Sequence, residues 1–222
     1  MKRFNRITFI LCGIALMLAA FPVFAQKDDK AQRVEINKKP LQDFARIVEL
    51  KIRQKEMDFD KPFLVEAECV LTEEGRFDTK KSKITRTEGD AEMVEIGKEA
   101  ILAIGDSGFF HNLKSQGMDK ILFSMQQDNS NFSSVIKSEL QSLEKAKTMA
   151  SGLNAMFAAI KMADNGGIVK LDEASKTLVN NSKIATQEKS VIINFSMPKL
   201  DFHEMILREI MKSADKNKNV QS

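Results

Sequence analysis

The sequence predicts an α+β protein in which an antiparallel sheet, built from three hairpins, carries helices packed on one face. Three observations lead there. Alternation of apolar and polar side chains recurs in three stretches, each stretch folds back through a short polar or glycine-bearing segment, and each is followed by residues at helical spacing.

The first 25 of the 222 residues stand apart from the rest. Lys2, Arg3 and Arg6 precede a nearly unbroken apolar run from Ile7 to Phe24, which closes on Val23-Phe24-Ala25. This pattern predicts a secretory signal peptide cleaved after Ala25, and hence a periplasmic location in a bacterium. The alternative is an inner-membrane anchor, because about 18 apolar residues is also the lower limit for spanning a bilayer. Pro22 favours cleavage, since it interrupts the helix where a peptidase needs extended chain. The whole chain has 34 Lys plus Arg against 31 Asp plus Glu, but the leader holds three of the cations and no acid. The remainder is balanced, so it lacks the basic excess that nucleic-acid binding needs, and no nucleic-acid partner is expected. Beyond the leader Cys69 is the sole cysteine, which leaves packing rather than an internal disulfide to hold the fold.

Residues 26–40 are polar, lack periodicity and read as a mobile arm. The spacing of Leu41, Phe44, Ile47, Val48 and Ile52 predicts a short amphipathic helix that docks on the body and ends before Asp60 and Pro62. Hairpin one follows. Phe63–Leu71 alternates, with Cys69 on its buried face, Thr72–Gly75 forms a turn, and Arg76–Thr87 returns as a highly charged strand. Asp90 then caps a helix striped by Met93, Gly97, Ala100, Ile101 and Ile104, and a second short helix runs from Phe109 to Gln116.

The pattern repeats with strands at Lys120–Gln127 and Phe132–Glu139, joined by the polar turn Asp128–Asn131. Ser142 caps a long helix whose stripe includes Ala146, Met149, Leu153, Phe157 and Ile160, and which stops at Asp164-Asn165-Gly166-Gly167. A short helix from about Asp172 to Asn180 leads into the third hairpin, Lys183–Met197. Pro198 closes it, and Asp201 with Glu204 forms a capping pair for a last helix that buries Phe202, Met205, Ile206 and Ile210. Residues 41–214 are thus expected to form one α+β domain with lobes at 62–127 and 142–214, followed by a polar tail at 215–222. Glu66, Glu68, Lys81 and Lys83 place the other face of the sheet in water.

The stock of catalytic groups is thin. His111 and His203 are the only histidines, and no His-x-x-x-His, Cys-x-x-Cys, calcium loop, phosphate loop or Gly-x-Ser-x-Gly motif is present. The methionines fall singly on apolar stripes, which is core filling and not a thioether metal site. With no Trp and no Tyr, the usual stacking platforms for sugars and bases are missing. No enzyme activity, cofactor or metal is therefore expected. Two features suit recognition: the charged strand bearing Lys80, Lys81, Lys83 and Arg86 at a sheet edge, and the pair Phe109-Phe110, which is either an exposed aromatic contact or a loop tucked into the core.

The order strand, Glu74-Gly75-Arg76 turn, strand, Thr87-Glu88-Gly89-Asp90, helix with Glu99-Ala100-Ile101, and strand from Ile121 to Met125 resembles the carboxy-terminal domain of TonB and TolA envelope proteins. The resemblance spans Pro62 to about Gln127, while Ser142 to Met211 has no counterpart in that domain. It implies a periplasmic module that binds another envelope protein. In TonB the contact is made by adding a strand to a segment of an outer-membrane transporter. The expected function is accordingly a non-catalytic protein-interaction module of the bacterial envelope, touching the membrane only if the leader is retained. A periplasmic carrier of an apolar or lipid ligand, held between sheet and helices, is the alternative.

Overall fold

The computed structural model describes residue 37 and residues 39–218, with the side chains of 112, 174 and 209–218 excepted. The leader, most of the polar arm, the Ile210 contact and the last four residues of the tail lie outside that description. Six strands form one sheet, all pairs antiparallel, in the order β2-β1-β3-β4-β6-β5. The strands are β1 (Phe63–Val70), β2 (Lys83–Gly89), β3 (Lys120–Gln127), β4 (Asn131–Glu139), β5 (Ser182–Gln187) and β6 (Ser190–Pro198). The three expected hairpins are β1–β2, β3–β4 and β5–β6, so the sequence-derived fold class holds.

Alternation decides which face is buried. Phe63, Val65, Ala67 and Cys69 of β1 stand opposite Gln127, Met125, Phe123 and Ile121 of β3, and the same layer continues through Phe132 and Ile136 of β4 to Phe195 and Met197 of β6. Directly opposed residues of an antiparallel pair share a face, so one register places this whole set in the core. The intervening residues, among them Glu66, Glu68, Lys83, Lys120, Leu122 and Lys137, form a second face on the other side.

The helices are α1 (Lys39–Gln54), α2 (Ala91–Asp106), α3 (His111–Ser115), α4 (Leu143–Asn165), α5 (Glu173–Asn181) and α6 (Lys199–Lys218). α1 does dock on the body, through Leu41, Phe44, Ala45 and Val48, and its Lys51 meets Glu92 of α2 at 2.7 Å. It ends where Lys55 turns to φ +56°. Asp90 caps α2 by accepting from the amides of Glu92 and Met93, both at 3.1 Å. Those bonds and Lys61 at 3.2 Å hold its carboxyl below the usual range. Ser142 caps α4 through Lys145 N at 3.1 Å. The buried residues of both lobes join in a single core cluster.

Several boundaries differ from expectation, each for a local reason. The second strand of hairpin one does not start at Arg76. Past Val70 only one bridge, Leu71 to Phe77, continues the pairing, and residues 72–82 fold into two successive turns. Asp78 sets the second turn by accepting from Lys80 N, and Val70 is satisfied from outside the ladder, its carbonyl by Asp78 N at 2.8 Å and its amide by Ser82 Oγ at 3.0 Å. Lys80 and Lys81 therefore sit on a turn and not on the strand. At the other end of the chain, Asp201 lies inside α6, which begins directly after β6 at Lys199. The amide of Lys199 donates to Ser130 O at 2.8 Å, so the β3–β4 turn supplies an acceptor where a capping side chain was expected. α6 also runs on to Lys218, through the start of the expected polar tail.

Candidate functional site

β2 is an edge strand. It pairs with β1 on one side, no strand lies on its other side among the described residues, and all seven of its residues are exposed. The register shifts between Glu66 and Ala67, so that Arg86 faces Glu66, Ile84 faces Ala67 and Thr85 is left over as a bulge. Thr85 secures the bulge by donating from its hydroxyl to Glu66 O at 3.2 Å. On the open face Lys83 Nζ reaches Glu68 at 3.0 Å and Arg86 reaches Glu88 at 2.7 Å, the latter pair raising the guanidinium pKa further. In the preceding turn Lys81 pairs with Asp78 at 3.2 Å, a contact that lowers the Asp78 carboxyl pKa. Among the described residues Lys80 has no carboxylate within ion-pair distance. The four cations named from the sequence thus gather along one edge, two on the strand and two on its entry turn.

Phe109 and Phe110 are not part of that surface. They are 2% and 0% exposed, and Phe110 stacks on Phe77 with ring centroids 5.3 Å apart while meeting Phe109 and Phe123 edge-on. The pair is core, which corrects its assignment as a contact for a partner. The physical reason is Gly108 at φ +74°, which turns the chain back under the sheet just before the two rings.

Two concavities accompany the edge. The first is an apolar notch of about 70 Å³ among α1, α2, α6 and the sheet, lined by Phe44, Phe59, Met93, Phe132 and Phe202. An apolar cavity of about 150 Å³ holds a benzene, and ligand pockets run to roughly 300–1,000 Å³. The notch therefore matches the tip of one side chain and would have to open for an acyl chain. At its rim Gln127, His203, Asp60 and Lys199 form a polar cluster, with His203 Nε2 2.9 Å from Gln127 Oε1 and Lys199 Nζ 3.3 Å from Asp60. The second is an open groove of about 930 Å³ on the helix-free face of the sheet, where Leu122 and Val70 lie among Lys120, Lys137 and Lys189. None of these three lysines has an ion-pair partner among the described residues, and Glu139 and Glu188 share the groove with them. The signal for Lys120 and Lys137 in the sequence was the outward phase of their strands' alternation, while Lys189 sits on the β5–β6 turn.

The chemical inventory is short. Among the described residues no group of three or more His, Cys, Asp and Glu is placed to hold a metal ion, and no helix is long and apolar enough to cross a membrane. The Cys69 thiol is pushed up to about 12 by burial, which suits a packed side chain and not a nucleophile. His111 Nδ1 is buried without a hydrogen-bond partner. No family model matches the chain, and neither a curated protein nor a solved structure shows significant similarity to it.

Proposed function

We propose that this chain is a non-catalytic interaction module of the bacterial envelope, TonB carboxy-terminal-like, that works in the periplasm after loss of its leader and receives a strand of a partner protein along β2. The observation that carries the reading is the exposed outer side of β2, seven residues long and paired with no other strand among the described residues. Main-chain groups on such an edge supply affinity to any extended segment, and side chains supply the choice of segment. The Thr85 bulge and the cations reject a flat apolar strand, as edges do when they are protected against aggregation. A strand presenting carboxylates opposite Lys83 and Arg86 is the one they admit. The resemblance to TonB and TolA adds support, because β1, β2, α2 and β3 follow one another in the order it implies and β3 pairs with β1.

Site-specific photocrosslinking in cells tests this. A benzophenone side chain placed at Thr85 or Thr87 is expected to give one discrete adduct, which disappears when a proline replaces a residue whose amide faces outward on β2. The same probe at Lys183 on β5, the opposite edge, should give none. Adducts of equal strength at both edges, or no adduct at β2, sink the reading. A rise in melting temperature with fatty acids, together with no adduct at β2, would favour the carrier of an apolar ligand instead.

A further inference from the structure

The most exposed large apolar side chains of the described residues include two at one place, the turn between α4 and α5. Ile168 is 83% exposed and Met162 73%, with Val169 beside them at 46%. α4 has its fully buried residues, Ala146, Met149, Ala150 and Leu153, in its first half, and Met156, Phe157 and Ile160 of its second half are still partly buried against the core, so it is the last turn of the helix, from Met162 on, that leaves the body. The turn itself is firmly built. Gly167, at φ +70°, donates to Asp164 O at 3.1 Å, and Ile168 N donates to Ala163 O at 2.9 Å. These are the two bonds of a Schellman closure, in which the residue in the position of Ile168 ordinarily packs back on the helix. Here it points into the open instead, and a Cβ added to Gly167 would meet nothing within 4 Å.

Around the tip three lysines, Lys161, Lys170 and Lys176, balance three acids, Asp164, Asp172 and Glu173, but the ion pairs fall on Lys176 alone. Lys161 and Lys170 flank the tip and have no ion-pair partner among the described residues, while Asp164, the acid within the turn, is occupied by Lys176 at 3.3 Å and by Leu171 N at 2.9 Å. Asp172 accepts from Ser175 N at 2.8 Å as the cap of α5 and keeps its charge, and Glu173 lies 3.8 Å from Lys176. Three apolar side chains at a turn are too few for a stable protein interface, which buries upwards of about 1,000 Å². They are enough to enter the boundary between headgroups and acyl chains, where flanking cations add attraction to anionic lipid. We infer that the α4–α5 turn is a membrane-surface anchor, in which Ile168, Val169 and Met162 dip into an anionic bilayer and Lys161 and Lys170 meet its headgroups. The contact is separate from β2 and does not depend on the leader.

The test uses the chain from Gln26 onward, as left by loss of the leader, and places an environment-sensitive fluorophore on Ile168→Cys, Cys69 being buried and unreactive. Vesicles of phosphatidylglycerol are expected to shift its emission to the blue, and vesicles of phosphatidylcholine alone or added salt to leave or return it to the value in water. Unlabelled protein carrying Ile168→Asp with Val169→Asp should partition about tenfold or more weakly onto the anionic vesicles, with an unchanged melting temperature because both side chains are exposed. A probe that stays in water with both vesicle types overturns the inference. So does equal partition of the double variant, or a blue shift that follows protein concentration without vesicles, which would make a second copy the occupant.

Discussion

Phe77 lies across Gly105, so close that a Cβ on the glycine would come within 2.1 Å of the phenyl ring. The bare patch on α2 is what lets the loop after β1 reach the core, with Phe77 stacked between the helix and Phe110. Gly105→Ala should therefore destabilise the protein although alanine is the better helix former by about 1 kcal/mol. Overpacking at a filled site costs about 1–3 kcal/mol, and the ring has no free side to retreat to. Urea denaturation of Gly105→Ala, Phe77→Leu and the double variant checks this. A double variant at least as stable as Gly105→Ala alone is expected, since the smaller side chain vacates the space the new methyl needs.

Phe110 is enclosed by Phe77, Phe109 and Phe123. Phe110→Ala should cost about 3–5 kcal/mol, a large part of the roughly 5–15 kcal/mol that holds a domain together. The denaturant midpoint reads it. A near-neutral result would return Phe110 to the surface and to the list of partner contacts.

Periodicity made the strands legible, because a two-residue alternation interrupted by Asp128 or Gly75 has few other solutions. The caps at Asp90 and Ser142 were equally open to reading, since each is a short acceptor directly before an apolar stripe. What failed was placement that depends on distant groups. Asp78 folding over Val70 delays β2, and Ser130 accepting from Lys199 N starts α6 two residues before Asp201. Neither contact leaves a local mark in the chain. The same holds for the candidate site. The edge position of Lys83 and Arg86 was visible in their strand's charge, whereas the exposure of Ile168 is at odds with its apolar side chain and emerges only from the last turn of α4 leaving the core beyond Ile160.

His203 joins α6 to the loop before β1. Gln127 Nε2 donates to the carbonyls of Phe59 and Lys61, which leaves its Oε1 to accept from His203 Nε2 and fixes the neutral ring's proton there. Burial depresses the His203 pKa below its ordinary 6.5, Asp60 acting against this and Lys199 with it. A base with a depressed folded pKa binds fewer protons folded than unfolded. Stability is therefore full above pH 6.5 and falls as the pH drops from there to the folded value. Melting curves between pH 7.5 and pH 5 should show that loss, with a shallower slope for His203→Gln. Parallel slopes for the two proteins would remove His203 as the cause.

Cys69 gives the opposite sign. It faces Ile121 from the buried side of β1, and desolvation lifts the thiol from 9.0 to about 12. The folded protein keeps its proton where the unfolded chain loses it, so this group withdraws stability as the pH rises above 9 and stops doing so near 12. The kinetic consequence is more easily measured. At pH 8 an unfolded thiol is partly thiolate and reacts with a disulfide reagent, while the folded one is neutral, enclosed and inert. In a Cys12→Ser background, labelling should be negligible in buffer, complete in denaturant, and in between should follow the population of open molecules, reporting the stability of the sheet from its second strand inward. Cys69→Ala should cost little apart from the lost sulfur, because the residue packs and does no chemistry. Rapid labelling of the folded protein at pH 8 would show that β1 opens locally, and it would move the search for a reactive or exposed site to that strand.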